Sequence, residues 1–220
     1  MQGVAMRVGI LGTGDVGRAL GTGFVGLGHE VRMGSRDAAN QRATEWAAGA
    51  GELASTGTFA DAAAFADVAA LATAWSGTEN ALQLAGPDNL AGKVVIDATN
   101  PLAVGAPGSP PGLALGHTDS GGEQVQRWLP DARVVKAFNI VGNAHMVNPD
   151  FPDGPPTMFI CGNDDDAKAI VAEILTAFGW PSIDIGGMEG ARLLEPMCIL
   201  WVICGFRSGS WDNAFKLLRK

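Results

Sequence analysis

Residues 6–17 read MRVGILGTGDVG and join an apolar run to a glycine-rich turn. The run over residues 6–11 is nearly continuous, which is typical of a strand buried on both faces of a parallel sheet. Gly12, Gly14 and Gly17 then form a G-x-G-x-x-G between this strand and a following helix, a context that predicts a dinucleotide-binding turn. In that role Gly12 permits the turn, Gly14 lets the backbone approach a pyrophosphate, and Gly17 lets helix and strand pack closely. The alternative is a plain strand-to-helix turn.

Outward from this turn, strand-like and helix-like segments alternate, which is the pattern of a parallel α/β sheet. We therefore predict an α/β fold: a Rossmann-type doubly wound parallel sheet with a small C-terminal α/β extension. A proline-rich segment at 148–156 separates a dinucleotide-binding Rossmann domain, residues 6–147, from a small C-terminal segment, residues 157–220. The predicted strands are 30–33, 67–73, 93–98, 132–138, 157–161 and 182–185. The predicted helices are 16–27, 38–48, 79–84, 123–129 and 167–178, with two further helical stretches after residue 185.

The chain has 220 residues, of which 31 are glycine, and a formal net charge of −8. A surface that acidic repels phosphate backbones and anionic lipid, so we expect no nucleic-acid and no membrane partner. The first residues lack the basic and apolar regions of a secretory signal, and the longest apolar run, 197–206, is too short to cross a bilayer. We expect a cytoplasmic protein. Cys161, Cys198 and Cys204 form neither a disulfide framework nor a zinc motif, which predicts small buried residues.

The end of the second strand distinguishes NAD from NADP. An NAD-binding protein usually carries an acidic residue about 20 residues after the glycine motif, where it binds the ribose 2′-hydroxyl. Gly34 lies at that position here, and Ser35 and Arg36 follow it. A hydroxyl and a guanidinium suit a 2′-phosphate, because the planar guanidinium can bind two phosphate oxygens at once. Since Gly34 leaves the place of the acid vacant, we predict NADP(H) as the cofactor of the domain at 6–147.

The ends of the later strands predict the rest of the site, because ligands in open α/β sheets lie beyond the carboxyl ends of the strands. Small, aromatic and amide groups there suit a flat ring that needs few hydrogen bonds. We expect them to surround the nicotinamide and the ring that exchanges hydride with it. These residues are Thr73, Ala74, Trp75, Asn100, Pro101, Ala137, Phe138 and Asn139. Trp75 could instead be a core residue, and Asn100-Pro101 could be turn chemistry alone.

The sequence shows no acid-base or metal-binding constellation at these strand ends. Of the three histidines, only His145 follows a strand end closely enough to be considered for the site. Residues 164–166 are three aspartates between a strand and a helix, where N-capping explains them better than a metal ion does. We therefore expect no catalytic side chain and no metal. Hydride transfer between two stacked rings fits this pattern, because it needs close approach rather than a proton donor.

Over nearly its whole length, the chain resembles a known family, the NADPH-dependent reductases of the deazaflavin coenzyme F420. The likeness is carried by residues 7–14, Gly34-Ser35-Arg36, Trp75, 160–165 and 192–195. The chain is also similar to the cytoplasmic oxidoreductase domain of the six-transmembrane ferric reductases, in residues 97–101 and 134–139. The resemblance implies that these positions bind NADP: Thr13, Gly14, Asp15, Val16, Ser35, Arg36 and Trp75.

Two departures from the archaeal family members matter. Those enzymes carry His-Thr-Ile-Pro around the position of residues 138–141, near the second cofactor, where this chain reads Phe-Asn-Ile-Val. This difference leaves the hydride acceptor open between coenzyme F420, FMN and FAD. They also carry a lysine near the position of Asn40 that assists the 2′-phosphate. Its absence weakens the expected affinity for NADP without reversing the preference.

The resemblance further implies a homodimer formed through the C-terminal segment. Residues 192–206 are apolar nearly all round, and a helix of that kind must be buried, in a dimer interface or in the chain's own core. Two other functions stay open: an NADP(H)-sensing protein without turnover, and an NADPH reductase of a small imine or carbonyl. Residues 101–120 are rich in proline and glycine and are predicted to be a long loop, which could form a lid.

Overall fold

The computed structural model describes residues 5–220 and is built around one sheet of eight strands. The strands in chain order are β1 (Arg7–Leu11), β2 (Glu30–Ser35), β3 (Ala54–Thr58), β4 (Val68–Leu71), β5 (Val94–Asp97), β6 (Leu102–Ala103), β7 (Gly112–Leu113), β8 (Arg133–Lys136), β9 (Met158–Gly162) and β10 (Ser182–Asp184). The order across the sheet is β3-β2-β1-β4-β5-β8-β9-β10, while β6 and β7 pair separately. The predicted α/β Rossmann-type fold is confirmed.

One junction in the sheet is antiparallel. In the order β3-β2-β1-β4-β5-β8 each strand is parallel to the next, and β9 is parallel to β10. Only β8 and β9 run in opposite directions, pairing Val135 with Gly162 and Lys136 with Cys161. The segment at 157–220 therefore extends the same sheet, which continues across both predicted units.

Eight α-helices flank the sheet in residues 5–220. They are α1 (Asp15–Gly26), α2 (Gln41–Ala50), α3 (Phe59–Phe65), α4 (Trp75–Ala85), α5 (Pro87–Leu90), α6 (Gly121–Trp128), α7 (Asp165–Ala177) and α8 (Ala191–Ser208). Side chains satisfy the free backbone N–H groups at several of the helix starts, as short polar residues before a helix commonly do. Asp164 accepts a hydrogen bond from the Ala167 N–H at 2.7 Å, which confirms the capping role predicted at 164–166.

Residues 54–65 and the chain after residue 185 differ from the prediction. Residues 54–65 carried no predicted element, yet they form β3 and α3; β3 lies at the sheet edge and its residues are mostly half-buried, so its sequence shows no apolar run. After residue 185 only one of the two predicted helical stretches is a long helix, α8. Residues 209–220 are not helical and instead lie against residue 157, where the Thr157 N–H donates to the Phe215 carbonyl at 2.8 Å.

The prediction that all the cysteines are buried is wrong for Cys204, which is exposed on α8. Cys161 and Cys198 are buried, and burial raises the pKa of their thiols to about 12 and about 11 respectively. Both thiols are therefore protonated and unreactive near neutral pH, as expected of small core residues.

One face of α8 packs on the sheet and the other is exposed. The buried residues are Ala191, Leu194, Glu195, Cys198, Val202 and Gly205. The exposed face contains Leu193, Pro196, Leu200 and Cys204, which recur at helical spacing. The sequence predicts that residues 192–206 are buried all round, but within one chain only one face of this helix is buried. Within residues 5–220, no helix combines the length and the apolarity needed to cross a membrane.

The predicted long loop at 101–120 contains the β6–β7 hairpin. The Ala114 N–H donates to the Pro101 carbonyl at 2.7 Å, so the returning arm of the hairpin is bound back to its base. Its outer turn is open to solvent, and Val104 is fully exposed. The hairpin therefore projects from the carboxyl edge of the sheet beside α8.

Candidate functional site

The site lies where the strand order reverses. The connections after β1 and β4, which are neighbours in the centre of the sheet, lead outward in opposite directions. A crevice opens between the two connections at the carboxyl ends of these strands, and ligands of doubly wound folds bind in such a crevice. The Gly12 N–H donates to the Gly34 carbonyl at 3.2 Å, which fixes the turn after β1 against the end of β2.

Gly12 and Gly17 are required by the packing of the turn itself. Gly12 has a φ of +134°, which L-residues with side chains rarely adopt, and a Cβ there would lie 2.4 Å from the Ala72 carbonyl oxygen. A Cβ at Gly17 would lie 2.3 Å from the Gly12 carbonyl oxygen. These contacts match the predicted roles of a tight turn and of close packing between helix and strand.

Gly14 is different, because nothing in the protein requires it to be glycine. Its φ is −72° and its ψ −178°, an ordinary extended conformation, and a Cβ would meet no protein atom within 4 Å. It is also the N-cap of α1 and makes no side-chain cap, so the N–H groups of the first turn of α1 have no partner from a capping side chain. A helix N-terminus with open space in front of it is suited to an anionic group such as a pyrophosphate.

Asp15 and Val16 follow in the first turn of α1, and their side chains point to other partners. The Asp15 carboxylate lies 2.5 Å from Arg18 Nη2 and 3.0 Å from Arg42 Nη2. The hydrogen bond and charge of Arg18, with a smaller effect of Arg42, hold the pKa of Asp15 below its usual value. Val16 packs on the hydrophobic core. These two predicted positions therefore offer a ligand their backbone N–H groups rather than their side chains.

A cleft of about 500 Å³ connects the glycine turn to the end of β2 and to the end of β4. It is lined by Gly12, Thr13, Gly14, Arg36, Phe59, Ala72, Thr73, Ala74, Ser76, Gly77 and Asn80. Among these lining residues Arg36 alone is charged, and no carboxylate in residues 5–220 lies within ion-pair distance of its guanidinium. The cleft thus joins a helix N-terminus, which carries a partial positive charge, to one unpaired cation.

Ser35 and Gly34 have contacts within the protein that the sequence does not predict. The Ser35 hydroxyl is buried and turns back on the chain, donating to the Asp37 carbonyl and accepting from the Asp37 N–H. A phosphate would have to compete for that donor. A Cβ at Gly34 would lie 2.8 Å from the Ala62 Cβ and 3.0 Å from the Thr58 carbonyl oxygen. Packing against α3 therefore accounts for Gly34, whatever the cofactor.

At the other end of the crevice, the structure brings together some of the residues predicted around the nicotinamide. Thr73 and Ala74 line the cleft, and the Thr73 hydroxyl is bonded to the Thr78 hydroxyl at 2.9 Å. Trp75 begins α4, is half-buried, and packs on Trp128 with 5.6 Å between ring centroids. Trp75 is not among the residues that line the cleft, and its ring packs against the core, which favours the core role over the predicted contact with the cofactor.

Asn100 and Asn139 bind each other across the ends of β5 and β8. Asn100 Nδ2 donates to the Asn139 carbonyl at 2.8 Å, and Asn139 Nδ2 donates to Asn100 Oδ1 at 3.0 Å and to the Leu194 carbonyl at 3.0 Å. Asn139 Oδ1 is buried without a hydrogen-bond partner in the described residues. The pair is thus more than the turn chemistry considered for Asn100-Pro101.

The side chains of Ala137 and Phe138 do not lie where the sequence predicts, around the nicotinamide. Both are fully buried, and the Phe138 ring packs on Phe178 at a centroid distance of 6.0 Å, in the core. Phe138 has a φ of +63°, a left-handed conformation that is uncommon for a residue with a large side chain. This turn of the backbone buries the Phe138 ring while Asn139 meets Asn100. Their side chains therefore shape the site from behind and do not line it.

A buried charged cluster of Lys136, Asp97 and Glu195, which the sequence analysis does not predict, lies just behind these strand ends. Lys136 Nζ lies 2.8 Å from Asp97 Oδ2 and 2.9 Å from Glu195 Oε1, and all three residues are at most 1% exposed. Burial lowers the pKa of Lys136, but the attraction of Asp97 and Glu195 outweighs it, so this pKa lies above its usual value. A lysine in a buried strand signals such a cluster, because an isolated buried charge is strongly unfavourable.

His145 does not reach the crevice. Its Nε2 lies 3.0 Å from Asp212 Oδ1 in the C-terminal tail, and its ring packs on Phe151. No group of three or more metal-binding side chains occurs in the part of the chain that the structure describes. A groove of about 750 Å³ runs along the outer side of α1 from Asp15, beside Trp46 and Phe178, and Arg36 does not line it.

Comparison with known proteins places the chain in a family. The family described as "NADP oxidoreductase coenzyme F420-dependent" matches residues 7–101. The F420-dependent NADP reductase of Methanothermobacter thermautotrophicus is 30% identical over 219 residues, 93% of this chain and 91% of that protein. The chain belongs to this family, which makes its class that of NADP-dependent oxidoreductases.

Two further proteins are similar over most of the chain. A solved structure from Arthrobacter sp. fb24, described as a candidate F420-dependent NADP reductase, is 37% identical, covers 98% of this chain and all of that one, and has a TM-score of 0.91. Metalloreductase STEAP3 of Rattus norvegicus is 34% identical over 191 residues, 87% of this chain, but the chain spans only 36% of its length. Reductive aminases and imine reductases match at 22% identity or less, which shows the fold alone.

The residues present fit an NADP cofactor. The space in front of Gly14 is the one that a Cβ would fill, and the N-terminus of α1 faces it. Arg36 lines the same cleft as the glycine turn and has no competing carboxylate in residues 5–220. Pyrophosphate and 2′-phosphate therefore each have one suited group, the helix N-terminus for the first and the guanidinium for the second.

Proposed function

We propose that this protein catalyses hydride transfer between NADPH and a deazaflavin of the coenzyme F420 type. The observation that carries the proposal is the shared cleft: an unpaired arginine and an unobstructed helix N-terminus open into one crevice at the switch point of the sheet. The curated relatives that match over nearly their whole length are named F420-dependent NADP reductases, which supports this acceptor.

In this proposal each part of the site has a separate task. The first turn of α1 holds the pyrophosphate through backbone N–H groups, and Arg36 holds the 2′-phosphate. Thr73, Ala74 and Trp75 enclose the nicotinamide together with Asn100-Pro101, which lies near the Trp75 ring, and Asn139 binds Asn100. When bound, NADPH supplies the hydride from its nicotinamide ring. The protein has to orient two flat rings face to face and exclude water, so no proton donor is needed for the transfer itself.

The experiment adds NADPH with oxidised coenzyme F420, FMN, FAD, riboflavin or a small cyclic imine in separate reactions and follows the nicotinamide absorbance. We expect oxidation of NADPH with coenzyme F420. Turnover with a flavin alone would replace the acceptor, and turnover with the imine alone would replace the substrate class. Tight binding of NADPH without turnover on any acceptor would leave an NADP(H)-sensing protein, the alternative function.

We also propose a homodimer formed through the exposed face of α8. Leu193 and Leu200 on this face are 66% and 50% exposed, and the neighbouring face of the same helix is buried in the chain. A contiguous apolar stripe on an otherwise acidic protein is typical of an interaction surface. A second copy presents the same stripe, so two copies can pair it symmetrically.

A charged residue on this stripe should separate the copies. In light scattering coupled to size exclusion at micromolar concentration, we expect the unmodified protein at twice the mass of one chain. Leu200→Glu should have the mass of one chain, because a buried carboxylate costs several kcal/mol in an apolar interface. Leu84→Glu, at an equally exposed leucine on α4, is the matched control and should stay dimeric. A monomeric unmodified protein would remove the dimer.

A further inference from the structure

The buried cluster of Lys136, Asp97 and Glu195 joins three parts of the fold at the carboxyl edge of the sheet. Lys136 is the last residue of β8, Asp97 is the last residue of β5, and Glu195 lies on α8. Glu195 also accepts hydrogen bonds from the N–H groups of Gly121 and Gly122, both at 2.9 Å. The chain's own carboxylate thus occupies the N-terminus of α6.

The two carboxylates and one ammonium are balanced by α6. The positive end of that helix dipole faces Glu195, which offsets the second negative charge. The glycines at 121 and 122 make room for it: a Cβ at Gly121 would lie 3.0 Å from Glu195 Oε1 and 3.2 Å from the Trp75 ring. The Glu195 carboxylate and the Trp75 ring therefore both border the start of α6, which brings the cluster close to the residue that follows the cleft-lining Thr73 and Ala74.

The cluster also holds the asparagine pair on both sides. Lys136 Nζ donates to the Thr99 carbonyl at 2.8 Å, and Thr99 immediately precedes Asn100. The Leu194 carbonyl, which accepts from Asn139 Nδ2, immediately precedes Glu195. The positions of Asn100 and Asn139 thus depend on two backbone carbonyls, each anchored by a neighbouring charge of the cluster.

We propose that Lys136 and Glu195 are positioning residues that hold the nicotinamide end of the site through Asn100 and Asn139. This inference rests on the proposed NADP function. A buried ion pair is weak support for stability, because the loss of solvation offsets much of the attraction between the charges. Its placement against the two asparagines gives it a task at the site: it fixes α8 to β5 and β8 at the point where the ring has to lie.

Binding of two ligands separates positioning from folding. Calorimetric titration is done with NADP⁺ and with 2′-phospho-ADP-ribose, which keeps the phosphates and lacks the nicotinamide. For Glu195→Gln we expect the Kd for NADP⁺ to rise about ten-fold while that for 2′-phospho-ADP-ribose stays within about two-fold. Asp97→Asn is the second variant, because it removes a charge from the same cluster and leaves the shape of the side chain.

Lys168→Met is the control. Lys168 is a buried lysine on α7 that pairs with Asp184 of β10 at 2.7 Å, and it lies outside the site. This variant should change the ratio of the two Kd values by less than about two-fold. An equal loss of affinity for both ligands in Glu195→Gln and Asp97→Asn, or a lower melting temperature with both affinities intact, would reduce the cluster to a structural role. An unmodified protein that binds neither ligand would overturn the proposed function instead.

Discussion

Replacing Arg36 with alanine should weaken NADPH binding about 100-fold and leave NADH binding unchanged, because charge-assisted hydrogen bonds contribute about 1.5–3 kcal/mol each. Arg36 alone is charged among the residues that line the cleft, and no carboxylate in the described chain competes for it. The Ser35 hydroxyl is already engaged by Asp37, so it cannot fully replace the lost contacts. The loss should fall on the 2′-phosphate alone, and the preference for NADPH should largely disappear.

Fluorescence titration of Arg36→Ala with NADPH and with NADH measures this effect. Arg219→Ala removes an exposed arginine from the C-terminal tail and serves as the control, with both affinities unchanged. Equal losses for NADPH and NADH in Arg36→Ala would show that Arg36 does not read the 2′-phosphate. The affinity should also fall as salt rises, because the attraction between a solvent-facing guanidinium and a phosphate is screened.

Replacing Gly14 with alanine should abolish tight cofactor binding without harming the fold. The extended φ of −72° suits alanine and no protein atom lies within 4 Å of the added Cβ. The stabilising effect of restricting the unfolded chain is offset because alanine is a poorer N-cap residue than glycine, so the melting temperature should change little. The same Cβ would occupy the space in which the pyrophosphate approaches the N-terminus of α1. We expect the Kd for NADPH to rise at least about 100-fold, on the order of 3 kcal/mol.

Gly17→Ala provides the contrast. Its Cβ would lie 2.3 Å from the Gly12 carbonyl oxygen, so the turn has to shift, and overpacking of this kind costs about 1–3 kcal/mol of stability. Thermal melts should therefore separate the two variants: Gly17→Ala melts lower, and Gly14→Ala does not. A Gly14→Ala protein that keeps its affinity for NADPH would show that the pyrophosphate does not lie against this residue.

The sequence predicts the glycine turn better than the asparagine pair and the lysine cluster, for a physical reason. The glycine turn is a local signal, because backbone conformation and close packing at Gly12 and Gly17 depend on residues nearby in the chain. The asparagine pair and the lysine cluster depend on contacts across the sheet, such as Lys136 with Glu195, 59 positions apart by their numbers. Strand-end position therefore predicts that Asn100 and Asn139 lie at the same edge of the sheet, but not that they bind each other or that Phe138 turns into the core.

The fold shows the same division. The strands buried on both faces were visible as apolar runs, whereas β3 at the sheet edge was not, because half-buried residues leave no run. The direction of β9 could not be read from residues 157–161, since an apolar strand looks the same in either orientation. The exposed face of α8 was likewise hidden, because its residues are as apolar as the buried face.

The close packing of Gly34 on α3 bears on any redesign of coenzyme preference. Introducing an acidic residue at the end of the second strand is the direct way to make a Rossmann protein accept NADH. Here no side chain fits at that place, since even a Cβ would press on Ala62 and Thr58. A variant that recycles the cheaper coenzyme would have to be built at position 36, where the side chain is exposed, with the backbone of the strand left as it is.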